Sequence, residues 1–177
     1  QTVFGFYILA VVLRFLLQCV RADFYNPLVQ FLVRITNPPL LPLRRIIPGY
    51  RGLDLASILL AFALQLVEAA LITLLLNHPL SVDGVLLLTV AELVKLLINI
   101  YLWGIVIQAV LSWFNPDPRH PAARVLAQLT DPVLRPVRKR LPPISGIDLS
   151  PMVVVVALIF ASLLLQDLLG AWVGGLR

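Results

Sequence analysis

The chain carries apolar runs too long and too continuous for a water-soluble fold of its size. Four segments, 2–20, 55–76, 84–114 and 149–172, are dominated by Leu, Val, Ile, Ala and Phe. A helix that crosses the hydrocarbon core of a bilayer needs roughly 20 such residues. Inside lipid, a helix satisfies its own backbone polar groups, which an open strand or loop does not. Composition agrees. Charged residues make up 13% of the chain and hydrophobic residues 60%, against about 25% charged in a soluble domain. Too little polar surface remains to face water. The sequence predicts an all-α membrane protein with four transmembrane helices.

The third segment is longer than one crossing. A helix over 84–114 would measure about 46 Å, against about 30 Å of hydrocarbon. Its charges, Glu92 and Lys95, fall in the first half. The span is therefore read as 95–114, with 85–94 at the interface or extending the helix beyond the bilayer. Basic residues set the orientation. Eleven of the 14 lie in two connections: Arg21, Arg34, Arg44, Arg45 and Arg51 between the first two spans, and Arg119, Arg124, Arg135, Arg138, Lys139 and Arg140 between the last two. The connection at 77–83 has none. The positive-inside rule places both basic loops in the cytoplasm and both termini outside. Trp113 and Trp172 sit at span ends, where tryptophan is enriched. Because the basic residues sit beside apolar spans, the pI near 10 points to insertion and not to nucleic acid.

The chain also repeats itself. Residues 36–55 read TNPPLLPLRRIIPGYRGLDL and residues 130–149 read TDPVLRPVRKRLPPISGIDL, an ungapped offset of 94. Identical pairs are Thr36/Thr130, Pro38/Pro132, Leu40/Leu134, Pro42/Pro136, Arg44/Arg138, Pro48/Pro142, Gly52/Gly146, Asp54/Asp148 and Leu55/Leu149. Pro27/Pro121 and Tyr7/Tyr101 extend the register upstream. Each copy holds two spans, so the copies are parallel repeats with the same orientation. The expected organisation is a first repeat over 1–76, an outer connection and interfacial helix start over 77–94, and a second repeat over 95–177. Since Lys95 pairs with Gln1, the repeat predicts about ten further residues ahead of Gln1.

Within each repeat, four elements are expected: a span, a short amphipathic helix, a proline- and arginine-rich loop, and a second span. Asn26 is placed to cap the short helix and Pro27 to open it. Leu28, Phe31, Leu32 and Ile35 form one apolar face, repeated as Ala122, Val125, Leu126 and Leu129. That face lies on the membrane surface or packs on the chain's own spans. At roughly nine residues, such a helix is marginal alone. Pro38, Pro42 and Pro48, and Pro132, Pro136 and Pro142, are expected to end it and hold the backbone extended. The stiff loop then carries Arg44 and Arg45, or Arg138, Lys139 and Arg140, at the bilayer edge. These basic groups meet anionic phospholipid headgroups or an acidic protein partner. Gly52 and Gly146 permit a positive φ. Asp54 and Asp148 cap the following span, or pair with Arg44 and Arg138.

These motifs resemble the YggT family of small bacterial inner-membrane proteins, whose relatives in Gram-positive bacteria and plastids are called YlmG-like. The pattern is FYNP at Phe24 to Pro27, TNPPLLPLRRIIP at Thr36 to Pro48 and GLDL at Gly52 to Leu55. A second copy runs TDPVLRPVRKRLP from Thr130 and GIDLSP from Gly146. The second copy departs with His120 in place of Asn26, and the first lacks the Ser-Pro after Asp148-Leu149. The resemblance covers nearly the whole chain as two tandem family domains. It implies links to osmotic and cation tolerance, to the division gene neighbourhood and, in plastids, to assembly of membrane complexes. It implies no particular reaction.

Ionisable groups inside spans default to functional hypotheses. Arg14, Glu68, Lys95 and Asp167 are such groups, with Gln108 at the repeat position of Arg14. They either snorkel and pair, Glu68 with Arg14 or Lys95, or form a polar path with Gln18, Gln65, Asn99 and Gln108. In the second case Arg14 and Gln108 would face each other across a pseudo-two-fold axis. No catalytic cluster is evident: His78 and His120 precede prolines on opposite sides of the membrane. Lone Cys19 forms no internal disulfide, and no Cys/His cluster offers a metal site. The sequence therefore points to a non-enzymatic protein without cofactor. It is expected to act as a scaffold or assembly factor with a membrane-protein partner, or as a homo-oligomer. The alternative is an oligomeric cation channel or transporter subunit, with helices joined through Ala157 and Ala161 or Gly170 and Gly174.

Overall fold

A computed structural model describes residues 2–49, 52–75, 81–113, 120–141 and 148–175. They form six helices: α1 (Thr2–Cys19), α2 (Pro27–Ile46), α3 (Leu55–Leu75), α4 (Val82–Trp113), α5 (Pro121–Arg140) and α6 (Ser150–Gly175). No strand occurs among the described residues. Three helices are long and apolar enough to cross a membrane: α3, α4 and α6. The apolar stretch of α1, Phe4–Cys19, is shorter. A shift of 94 residues carries Pro27–Ile46 onto Pro121–Arg140 without remainder. The third apolar segment is one unbroken helix of 32 residues, so 85–94 continues it.

α1 packs on α2, α3, α4 and α5, whereas α6 rests on α4 and α5. Ile8, Val11, Leu16 and Leu17 of α1 meet Val29 and Leu40 of α2 and Ala56, Leu60 and Ala61 of α3 in the main core. A smaller core joins Ile105, Leu134 and Val154. The outer face of α6 shows Met152, Val156, Phe160, Leu163 and Leu168, a surface suited to lipid. Helices approach closely where a small residue permits it. A Cβ on Gly104 would meet Thr130 Cγ2 at 3.4 Å, and buried Ala10 occupies the position 94 residues earlier. Gly170 has nothing within 4 Å of an added Cβ.

The proline segments correct the expectation of an extended loop. α2 runs through Pro38, Pro39 and Pro42 to Ile46, and α5 through Pro132 and Pro136 to Arg140. Arg44 and Arg45, like Arg138, Lys139 and Arg140, thus stand in the last turn of a 20-residue helix. There the helix dipole favours cations. Only Pro48 lies beyond its helix as expected. Pro142 and Gly146 fall outside the described residues. Proline in a helix interior removes the bond to the carbonyl four residues back and costs about 3 kcal/mol. Two features oppose that cost. Pro38 and Pro42 lie on the exposed face, where carbonyls freed of their donor meet solvent or headgroups. The opposite face buries Thr36 and Leu40 completely. The inward stripe is thus Val29, Thr36 and Leu40, while Leu28 and Phe31 are exposed.

One freed carbonyl is satisfied from α1. Pro39 offers no N–H to the carbonyl of Ile35, and Tyr7 Oη donates to that carbonyl at 3.2 Å. The pairing generates a testable coupling. Tyr7→Phe should lower stability in detergent by about 1 kcal/mol, the worth of one partly buried hydrogen bond. In a Pro39→Ala background residue 39 regains its N–H, and the same Tyr7→Phe change should cost almost nothing. Equal losses in both backgrounds, read from thermal unfolding by circular dichroism, would show that the tyrosine does not replace the missing donor.

Candidate functional site

The polar side chains gather where α1, α2 and the start of α3 meet. Arg14 is only 7% exposed on a mostly apolar helix. Its Nη1 donates to Thr36 Oγ1 at 2.6 Å and to the Val33 carbonyl at 3.3 Å. Thr36 in turn donates back to the Leu32 carbonyl at 2.6 Å. In the α4–α5 pair, Thr130 donates to Gln108, and its hydroxyl also reaches the Leu126 carbonyl at 2.9 Å. Both bonds join residues 22 apart. The matched spacing sets Arg14 and Gln108 at equivalent places in the two helix pairs. Each is taken by its own threonine.

The end of α2 is tied to the start of α3. Arg44 grips Asp54 through Nε, at 3.4 Å, and through Nη2. Ser57 Oγ donates to the same carboxylate at 2.5 Å. Gly52, at φ 85°, makes the turn that brings Asp54 back to Arg44; that left-handed conformation favours glycine. Arg138 Nε holds Asp148 at 2.7 Å, and the Ser150 N–H donates to Asp148 at 2.9 Å. Each aspartate therefore both caps and pairs, so the two roles anticipated as alternatives are filled together. Burial alone would raise the Asp54 carboxyl, but hydrogen bonds from Arg44 and Ser57 and the Arg44 charge hold it below the ordinary carboxylate value. Asp148 is lowered against a burial effect as well, by Ser150 and Arg138.

Other sites differ from expectation. Glu68 has no ion pair with Arg14; it accepts from Gln65 Nε2 at 3.3 Å. The reason is reach: Arg14 turns toward α2 and is taken by Thr36 and Val33. Lys95 pairs with Glu92 at 3.3 Å, one helical turn away. Asp167 is exposed. Arg45, Lys139 and Arg140 point outward. Asn26 is buried, caps Leu28 N–H at 2.9 Å and donates to the Pro121 carbonyl at 2.9 Å, joining the starts of α2 and α5. His120, in the matching place, makes no side-chain cap. Arg124 adds a bridge to Asp23 at 3.3 Å. Two contributors escaped the sequence reading. Ser57 was legible as the third residue after Asp54, a spacing at which caps engage. Asp23 carried no local signal. Among the described residues no group of His, Cys, Asp and Glu is placed to hold a metal ion.

Around Arg14, Gln18, Arg21, Asn37, Arg44 and Asp54 lies an open cleft of about 800 Å³. A second cleft, of about 470 Å³ and bordered by Gln65, Glu68, Glu92 and Lys95, lies between α3 and α4.

A model of the CCB3/YggT family matches the chain over residues 1–75 and again over 87–169. The chain belongs to the CCB3/YggT family. It is 43% identical to an uncharacterised Pseudomonas aeruginosa protein, over 98% of this chain and 89% of that one. It is 40% identical to a Vibrio alginolyticus protein from the region 3′ of proC, over 96% of this chain and 92% of that one. It is 36% identical to Escherichia coli YggT, over 97% of this chain and 89% of that one. No solved structure matches.

The two aspartate ties should differ in weight. Asp54 is buried while Asp148 is about as exposed as its arginine. Asp54→Asn should cost about 1–3 kcal/mol by stranding hydrogen-bond partners, and Asp148→Asn at most about 1 kcal/mol. The Asp54 contribution is fully present above the unfolded carboxylate pKa of about 3.9. It is lost as the pH falls through the lowered folded value. Melting temperatures across an acid series should therefore converge for wild type and Asp54→Asn at low pH. A gap that persists or widens there would contradict the assignment.

Proposed function

We propose that this family member is a non-enzymatic protein of the bacterial inner membrane that serves as a scaffold or assembly factor for a membrane complex. In this reading α1, α3, α4 and α6 are four transmembrane spans. They belong to two tandem parallel repeats, 1–76 and 95–177, joined by an outer connection at 77–94. The twofold match to the family model supports this organisation, as does the 94-residue shift relating α2 to α5. The basic helix ends face the cytoplasm and the termini face outward.

The observation that carries the proposal is the exposed cationic surface at the C-terminal ends of α2 and α5. Arg45, Arg135, Arg138, Lys139 and Arg140 all present charge outward there. Arg44 and Arg138 are anchored by their aspartates, which fixes the surface to the bundle. Such a surface suits anionic phospholipid headgroups and an acidic face of a membrane-protein partner, each cation contributing about 1 kcal/mol near an anionic membrane. The outward apolar face of α6 remains for that partner or for a second copy of the chain. The link to osmotic and cation tolerance implied by the family fits such a role.

One observation favours the alternative, an oligomeric cation channel or transporter subunit: the cleft bearing Gln65, Glu68, Glu92 and Lys95. Affinity purification in mild detergent separates the two. A co-purifying partner that is lost on joint replacement of Arg45, Lys139 and Arg140 by glutamine supports the scaffold. Homo-oligomers alone, with ion flux in liposomes that Glu68→Gln abolishes, support the channel.

Sidedness has its own test. In a Cys19→Ser background, Gln30→Cys on α2 and Arg135→Cys on α5 should resist an impermeant thiol reagent in intact cells. Both should react after permeabilisation. Labelling of either from outside would reverse the orientation.

A further inference from the structure

We infer that the cleft between α1, α2 and the turn before α3 is a binding site for the phosphate of an anionic phospholipid headgroup, held by Arg14, Arg21 and Arg44. The inference rests on the reading of α1 as a membrane span and deepens the general headgroup contact proposed above.

The first argument is charge without a counter-ion. Among the described residues, Arg14 bonds only to neutral groups, Thr36 Oγ1 and the Val33 carbonyl, both through Nη1. No carboxylate of the described residues lies within salt-bridge distance of it. A guanidinium has five N–H donors, so Nε and Nη2 remain while the side chain borders the cleft. An arginine within a span is costly, at about 2.5–3.5 kcal/mol on insertion scales. Its structural duty needs no charge, because neutral Gln108 engages Thr130 from the corresponding position. The charge of Arg14 is therefore surplus to the helix contact.

The second argument is backbone strain. Arg21 has φ 52°, unlike any other described residue except glycine. Arg21 N–H bonds the Gln18 carbonyl at 3.1 Å, and Ala22 N–H bonds the Leu17 carbonyl at 2.8 Å. These two bonds close α1 in the left-handed turn where glycine is the usual residue. An arginine there carries a conformational cost that glycine would remove, and its side chain borders the same cleft. Arg44 completes the set. Its Nε and Nη2 are held by Asp54, which leaves Nη1 unused, and the side chain borders the same cleft. With Asp54 the cleft holds three cations and one anion, a surplus matched to a phosphate. Phe24 and Leu41, exposed beside it, suit the glycerol and acyl portions. Positions 94 residues on hold Gln108 and Asn115 in place of Arg14 and Arg21, so the site belongs to the first half alone.

The test is native mass spectrometry of the detergent-purified chain titrated with phosphatidylglycerol or phosphatidylcholine. Wild type should retain phosphatidylglycerol selectively. Arg14→Gln installs the residue found at position 108, and Arg21→Gly relieves the strained turn. Each should weaken retention roughly fivefold, the worth of one basic group at an anionic lipid. Arg21→Gly should at the same time raise the melting temperature, which a merely structural arginine would not do. Arg34→Gln, exposed on α2 and outside both the cleft and the cationic helix ends, should leave retention unchanged. Undiminished selectivity in Arg14→Gln and Arg21→Gly would overturn the site, and so would an equal loss in Arg34→Gln. Displacement of the lipid by inorganic phosphate at comparable concentration would overturn the lipid as its source. Failure here with the thiol-labelling pattern intact removes this site but leaves the topology standing.

Discussion

The arrangement depends on one kind of contact: a wholly buried threonine in the middle of a proline-bearing helix, bonded to a polar side chain from the apolar helix before it. Thr36 is reached by Arg14 and Thr130 meets Gln108. Each threonine also bonds its own helix four residues back. Neither α2 nor α5 has the local propensity to persist, since each contains internal prolines that would break an isolated helix. The threonine bond, with Leu40 or Leu134 buried beside it, supplies tertiary contact where propensity fails. The aspartate ties at 54 and 148 then fix the far ends of these helices to the helices that follow.

Helix number and apolar character were legible in sequence because they rest on run length and composition, which are local. The cap at Asn26 and the turn at Gly52 were legible for the same reason. The course of the chain from Pro38 to Pro42 was not. A rule that counts lost N–H donors predicts a break. It does not record that the freed carbonyls lie on the exposed side, or that Tyr7 reaches Ile35 from another helix. The partner of Arg14 was missed on similar grounds. Depth along a span suggested Glu68, but direction around the helix decides, and Arg14 is turned toward Thr36. Lys95 found its partner one turn away at Glu92, a local option preferred over the distant one.

Comparing the two halves separates structural duty from other duty. Both have a threonine tie, an aspartate tie and a cationic helix end, so these belong to the shared framework. Arg14 and Arg21 in the first half stand where Gln108 and Asn115 stand in the second. Such differences within one framework point to function, and here they concentrate positive charge in one cleft. Family membership does not supply that distinction, because the relatives' names assign no activity. It comes from reading one half of the chain against the other.

The central claim is that segments rich in proline and arginine are packed helices and not extended loops. Amide hydrogen exchange in lipid nanodiscs tests it most directly, read on peptides covering residues 40–46 and 134–140. The account predicts that these amides exchange far more slowly than an unstructured chain. It also predicts that Thr36→Val releases the first segment and leaves the second protected. Exchange of both segments at the unprotected rate in the wild-type protein would contradict it.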